Sequence, residues 1–163
     1  ATEVLPLLGS KEGIMHICMT YLNAGDQVLI PNPGYPTYTS AVKLAGGTPL
    51  YYELTAEHNW APDFENLEKT DLSKVKLMWV NYPQMPTGQQ PNKSLFEKLV
   101  AFGKKHHILI CSLAHLQKQY PRAIVPENKS CSVHLHATLG YQLVCVIRRA
   151  CTLCQSIIHL LES

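Results

Sequence analysis

Apolar and polar residues follow one another along this chain in short blocks, and the spacing within each block predicts its element. Val4-Leu5-Pro6-Leu7-Leu8 is an apolar extended run. From Lys11 to Leu22 the apolar residues Ile14, Ile17, Cys18, Tyr21 and Leu22 fall at helical spacing on one face, and Asn23-Ala24-Gly25-Asp26 ends that helix. Gln27-Val28-Leu29-Ile30 is a short strand. It runs into Pro31-Asn32-Pro33-Gly34-Tyr35-Pro36, a turn too rich in proline for a helix or a central strand. Tyr38, Ala41, Val42 and Ala45 carry a second helix, stopped at Gly46-Gly47. A third strand spans residues 49–54, Asp63 caps a short helix through Leu67, and a fourth strand spans residues 75–80. That strand ends in a second proline-broken loop, Asn81-Tyr82-Pro83-Gln84-Met85-Pro86-Thr87-Gly88. Asn92 caps a helix with Leu95, Leu99 and Phe102 on one stripe, and Ile108-Leu109-Ile110-Cys111 is a fifth strand.

Short, nearly all-apolar strands that alternate with helices predict an α/β fold, a mainly parallel sheet with helices on both faces. Ligands in such folds sit outside the C-terminal ends of the strands. Three loops share that rim: Gly9-Ser10-Lys11, Asn32 to Tyr38, and Asn81 to Gly88. The first is a strand-to-helix corner. Its unpaired N–H groups, the helix dipole and the charge of Lys11 together suit a phosphate. A phosphate corner, an aromatic turn and a polar Pro-Thr-Gly turn ask for a flat phosphorylated cofactor. The plainer alternative is three ordinary strand-to-helix turns, where Gly, Pro and Asn are expected anyway.

Composition alters this picture at one point. A chain of 163 residues is one domain or a domain plus a tail, and 46% apolar with 16% charged residues is the composition of a soluble globular protein. The net charge of +2, with no basic stripe interleaved with aromatics, gives no reason to expect nucleic acid. No apolar run has the length of a membrane span and no signal-peptide pattern opens the chain, so the expected setting is cytoplasmic. Charge, however, is uneven. Residues 1–111 hold ten of the twelve acidic residues, whereas 112–163 hold only Glu127 and Glu162 against Lys118, Arg122, Lys129, Arg148 and Arg149. Five of the six cysteines lie at or beyond Cys111. The chain therefore divides into residues 1–111 and a tail, 112–163.

The tail is expected to be irregular or helical. Leu143, Val144, Ile147, Cys151 and Cys154 form an apolar stripe if a helix runs from Tyr141 to Leu161, with the cysteines as small hydrophobes. The sharper alternative is a zinc site. It would be built on the Cys151-Thr152-Leu153-Cys154 pair together with Cys131, His134, His136 and Cys145, whose spacing is irregular. The abrupt change in composition also suggests a frame-shifted or spliced reading of a truncated gene.

Four motifs in order carry a resemblance: Leu-Leu-Gly-Ser-Lys-Glu-Gly-Ile (7–14), Gly-Asp-Gln-Val-Leu-Ile-Pro-Asn-Pro-Gly-Tyr-Pro-Thr-Tyr (25–38), Ala-Gly-Gly (45–47) and Asn-Tyr-Pro-Gln-Met-Pro-Thr-Gly (81–88). Residues 1–111 resemble part of the large domain of fold-type I, pyridoxal-phosphate-dependent aminotransferases of class I/II, of the aspartate and diaminopimelate type. The resemblance implies that Ser10 and Lys11 hold the cofactor phosphate and that Tyr35 stacks on the pyridine ring. It places Tyr38 near the ring nitrogen, a position that suits a core residue of its helix equally. Three departures accompany it. Met85 stands where the family has the Asn that bonds the phenolic oxygen, and Leu113 stands where it has the Asp that pairs with the ring nitrogen. The Ser-x-x-Lys segment that supplies the Schiff-base lysine is not found, and Lys118 and Lys129 lack its context.

The expected cofactor is thus pyridoxal phosphate, held non-covalently, with no catalytic residue assigned. Intact relatives move an amino group between an amino acid and a 2-oxo acid and work as homodimers, and this chain is expected to be impaired or inactive. The rival is a non-catalytic α/β protein whose Cys/His-rich tail binds a partner or a metal. A nucleotide-binding domain is disfavoured, because neither Gly-x-Gly-x-x-Gly nor a Gly-Lys-Ser/Thr loop occurs.

Overall fold

The computed structural model describes residues 4–7, 9–90, 92–115, 132–137 and 143–147. Its elements are β1 (Val4–Leu7), α1 (Ser10–Tyr21), β2 (Gln27–Asn32), α2 (Pro36–Leu44), β3 (Thr48–Glu53), α3 (Phe64–Glu68), β4 (Val75–Asn81), α4 (Lys93–His106), β5 (Leu109–His115), β6 (Ser132–Ala137) and β7 (Leu143–Ile147). They form one seven-stranded sheet in the order β1-β7-β6-β5-β4-β2-β3. Pairings from β3 through β6 are parallel. β7 runs antiparallel to both β6 and β1. β1 therefore points the same way as β2 to β6, and the predicted mainly parallel α/β sheet is what the chain adopts.

Successive side chains of a strand face opposite sides, so a central strand must be apolar on both. Val28 and Ile30 of β2, Leu77 and Trp79 of β4, and Leu109, Cys111 and Leu113 of β5 pack against Ile14, Ile17 and Cys18 of α1 and Tyr38, Ala41 and Val42 of α2. On the other face Leu29, Met78, Val80, Ile108 and Ile110 meet Leu67 of α3 and Leu95, Leu99 and Phe102 of α4. The helices are bounded by chemistry visible in the sequence. Asn92 Oδ1 accepts from the Leu95 N–H at 2.8 Å, and Asp63 Oδ1 accepts from the Asn66 N–H at 3.2 Å. Lys104, Lys105 and His106 crowd the last turn of α4, where cations complement the helix dipole, and His107 closes it in the left-handed conformation at φ 56°.

At the centre of the first face the Tyr38 ring stacks on Trp79, with centroids 5.0 Å apart and planes at 13°. Both side chains are fully buried, and the Tyr38 hydroxyl has no hydrogen-bond partner. Burial, reinforced by Cys111 and Tyr35, holds this phenol well above the usual tyrosine range, so it stays neutral. Burial likewise pushes the Cys18 thiol up to about 12, against a weaker opposing pull from the Trp79 side chain.

The tail departs from expectation. Residues 132–137 and 143–147 are strands, where irregular or helical structure was expected, so residues 143–147 of the expected Tyr141–Leu161 helix form β7 instead. The physical reason lies in Leu143-Val144-Cys145-Val146-Ile147. Five contiguous apolar residues satisfy a helical stripe and a buried strand alike, but three are β-branched and the segment has strand partners on both sides. Register also sets Cys145 opposite Leu135, out of step with His134 and His136, which pair with Val146 and Val144. Cys131, Cys151 and Cys154, the remaining members of the expected zinc set, lie outside the described residues, as does 148–161 of the expected helix.

Two substitutions test this packing. A Cβ on Gly103 would lie 2.8 Å from the Ile108 carbonyl oxygen and 2.8 Å from Ile110 Cγ1. Gly103→Ala is expected to cost about 1–3 kcal/mol, read as a lower urea midpoint at unchanged slope. Tyr38→Phe removes a buried hydroxyl that nothing satisfies and keeps the stack on Trp79. It is expected to raise stability by about 1 kcal/mol in the same assay, and a loss of that size would mean that the hydroxyl has a partner.

Candidate functional site

Because β1 and β2 to β6 point the same way, the segments that leave their C-terminal ends gather on one rim. Gly9 leads from β1 into α1, residues 33–35 lead from β2 into α2, and residues 82–88 follow β4. β2 and β4 are direct neighbours, so the last two of these turns are adjacent.

At the first turn Gly9 is extended, with φ −175° and ψ 165°, and no side chain caps the helix. The first backbone bond runs from the Gly13 N–H to the Gly9 carbonyl at 3.3 Å. Helix geometry therefore leaves the N–H groups of Ser10 and Lys11 with no carbonyl behind them. A Cβ built on Gly9 would meet nothing within 4 Å among the described residues. Lys11 is exposed and Ser10 half-buried. This is the arrangement of an anion site: free donors, the positive end of a helix and an ammonium.

Tyr35 is the N-cap residue of α2, followed by Pro36, whose missing N–H costs the helix nothing. Its half-buried ring stands edge-on to Tyr38, with centroids 5.8 Å apart and planes at 90°. Tyr38 is in turn fixed on Trp79, so Tyr35 is buttressed from below. Tyr38 itself is a core residue, with an unpartnered hydroxyl as its one polar feature.

β4 ends in Asn81, which is 3% exposed and whose amide oxygen and nitrogen both lack a partner among the described residues. Asn81 is in register with Leu113 of β5, which is 1% exposed. An apolar side chain thus occupies the position that the resemblance reserves for an Asp, and it offers no charge. Met85 is 46% exposed and offers no strong donor. Next to it Gln84, 1% exposed, sends its Nε2 to the Pro33 carbonyl at 3.0 Å and accepts the Thr87 hydroxyl at 2.6 Å and the Thr87 N–H at 3.1 Å. The bonds Asn32–Pro33, Tyr82–Pro83 and Met85–Pro86 are cis. Gln84 carries no signal in the sequence beyond being polar inside a rim loop. The buried Asn81 had one, a carboxamide closing an otherwise apolar strand. Lys118 and Lys129 lie outside the described residues.

Residues 1–117 match the family described as aminotransferase class I and II. LL-diaminopimelate aminotransferase of Dehalococcoides mccartyi is 44% identical over 110 residues, which is 68% of this chain and 28% of that protein. The enzymes of the same name from Aquifex aeolicus and, as its second form, Trichormus variabilis are 37% and 44% identical over 143 residues, 83% of this chain and 37% of each relative. That share exceeds residues 1–111, so similarity reaches into the tail. Among solved structures, substrate-bound BacF from Bacillus subtilis superposes with a TM-score of 0.83 at 28% identity, over 98% of this chain and 43% of that one. Alanine aminotransferase from Pyrococcus furiosus shares the fold, with a TM-score of 0.83 at 23% identity. The chain thus spans roughly a third of the curated relatives' length, from 28% to 37%. On the strength of the match over 1–117 and of the shared fold, the chain belongs to the class I and II aminotransferases, a family that works with pyridoxal phosphate.

Proposed function

We propose that this chain forms the cofactor-binding part of a diaminopimelate aminotransferase-type large domain and holds pyridoxal phosphate non-covalently. The observation that carries the reading is the uncapped α1 N-terminus at Gly9–Lys11, on the same rim as Tyr35 and the unpartnered Asn81 amide. The residues fit two parts of the cofactor. Ser10 and Lys11 offer backbone N–H groups, a hydroxyl and an ammonium to a phosphate, and Tyr35 offers a supported aromatic face to a ring. They do not fit its remaining polar edges equally well, since Leu113 and Met85 supply neither an anion nor a strong donor.

When bound, this cofactor supplies an electron sink for amino-group transfer. The residues of this stretch bind and orient. The helix N-terminus neutralises the anion, Tyr35 keeps water from one face of the ring, and Trp79 with Tyr38 keeps Tyr35 from yielding. The pattern Ser-x-x-Lys occurs at Ser40–Lys43, where Lys43 sits in the last turn of α2, and at Ser73–Lys76, where Lys76 sits at the start of β4. Both lysines are exposed at the end of the sheet away from the rim. The stretch taken alone is therefore proposed to dock the cofactor without turnover at a useful rate. Amino acid and 2-oxo acid substrates, a homodimer and a cytoplasmic setting follow from the same reading.

Equilibrium dialysis against pyridoxal phosphate, pyridoxal and inorganic phosphate tests it. Pyridoxal phosphate is expected to bind more tightly than either part. Lys11→Ala is expected to weaken it about tenfold, the equivalent of one charge-assisted hydrogen bond, and Ser10→Asp to weaken it further by setting a carboxylate against the phosphate. Borohydride reduction of the mixture is expected to leave no single modified lysine on peptide mapping. One specific adduct would instead restore the enzyme reading for this stretch. Absence of binding in a folded protein would leave the non-catalytic alternative.

A further inference from the structure

The two proline-broken turns are 51 residues apart in sequence at their point of contact, and one side chain joins them. We propose that Gln84 is a positioning residue that clamps the aromatic turn to the Pro-Thr-Gly turn, so that Tyr35 is held by the β4 loop as well as by its own helix. The inference deepens the cofactor reading above and rests on it for the choice of ligand.

Gln84 uses nearly all of its hydrogen-bonding capacity. Its backbone N–H donates to the Gln89 carbonyl at 2.9 Å and its carbonyl accepts from the Gly88 N–H at 2.6 Å, which fixes the loop around it. Its Oε1 takes both the hydroxyl and the N–H of Thr87, and its Nε2 donates to the Pro33 carbonyl. A carboxamide suits this place because one end must accept and the other must donate. A carboxylate keeps the Thr87 half of the clamp and sets an anion against the Pro33 carbonyl. A thioether of similar length loses both halves.

From Pro33 the lever to Tyr35 is short and stiff. Gly34 lies between them with so little room that a Cβ there would sit 2.3 Å from the Pro31 carbonyl oxygen. Tyr35 then starts α2 by accepting the Tyr38 N–H at 3.1 Å. A shift of the Pro33 carbonyl is therefore passed to the Tyr35 backbone with little slack. The hydrogen bonds of Gln84 go to Pro33, Thr87, Gly88 and Gln89 and none to residues 9–11, so ring binding and phosphate binding separate in its variants.

The test uses the full chain with Gln84→Glu, Tyr35→Ala and the double variant, and Gln84→Met as a second disruption of the clamp. Pyridoxal phosphate and inorganic phosphate are the probes in equilibrium dialysis, and amide exchange is followed by mass spectrometry on peptides covering residues 33–38 and 84–89. Q84E is expected to weaken pyridoxal phosphate about tenfold, to leave inorganic phosphate unchanged, and to have no further effect once Tyr35 is Ala. Exchange over 33–38 is expected to rise about tenfold in Q84E with 84–89 unchanged, and over both peptides in Q84M. Equal weakening of both ligands, full additivity with Y35A, or unchanged exchange over 33–38 would each overturn the clamp. If the wild-type chain binds no pyridoxal phosphate, the cofactor reading fails on its own, and the exchange results still decide for or against the clamp.

Discussion

The requirement that governs this structure is that the strands at the middle of a parallel sheet must be covered on both faces. β2, β4 and β5 have no polar side to turn to water, so α1 and α2 lie on one face and α3 and α4 on the other. Crossovers that return to the same starting edge then deliver the C-terminal ends of the parallel strands to one rim. The stacked pair of Trp79 and Tyr38 sits at the junction of these demands. It fills the first face beneath the rim, and Tyr35 rests on its edge. Core packing and site geometry are thus one problem here, solved by the same three aromatic rings.

Much of this was legible in residue order. The apolar blocks at 27–30, 75–80 and 108–111 place β2, β4 and β5 within a few residues, because a strand buried on both faces has to be apolar throughout. Asp63 and Asn92 mark helix starts because each side chain meets a backbone N–H three residues on, a purely local event. What escaped is non-local. Leu143–Ile147 reads equally as stripe or strand, and only the neighbours β1 and β6 decide between them. The same holds at the site. The Gly9-Ser10-Lys11 corner is local chemistry and visible. The bond from Gln84 to Pro33 leaves no trace in either segment, and the isolation of the Asn81 amide is a fact about surroundings rather than about its own stretch.

The rim is chemically uneven. At the α1 corner the first N–H groups of the helix have no carbonyl behind them, whereas deeper in the same face the polar groups of Asn81 and Tyr38 are enclosed and without a partner among the described residues. Native interiors rarely tolerate such groups without a purpose, since each forfeits the hydrogen bonds it made with water. Among the described residues His16 Nδ1, Trp79 Nε1 and His106 Nε2 likewise lack a hydrogen bond, so such groups occur on α1, β4 and α4 as well as beside the aromatic turn.

The antiparallel strand β7 bears on the order in which the molecule comes together. β1 begins the described chain, yet its register partners are Val146, Cys145, Val144 and Leu143, almost at the other end. Among the described strands β1 thus has to close the longest loop, against the shorter ones of the β2–β3 and β4–β5 units. Until it does, the corner that follows β1 is tethered only through the packing of α1 on its neighbours. The α1 corner therefore depends on long-range pairing, while the aromatic turn on the same rim rests on the more local β2–β3 and β2–β4 pairings.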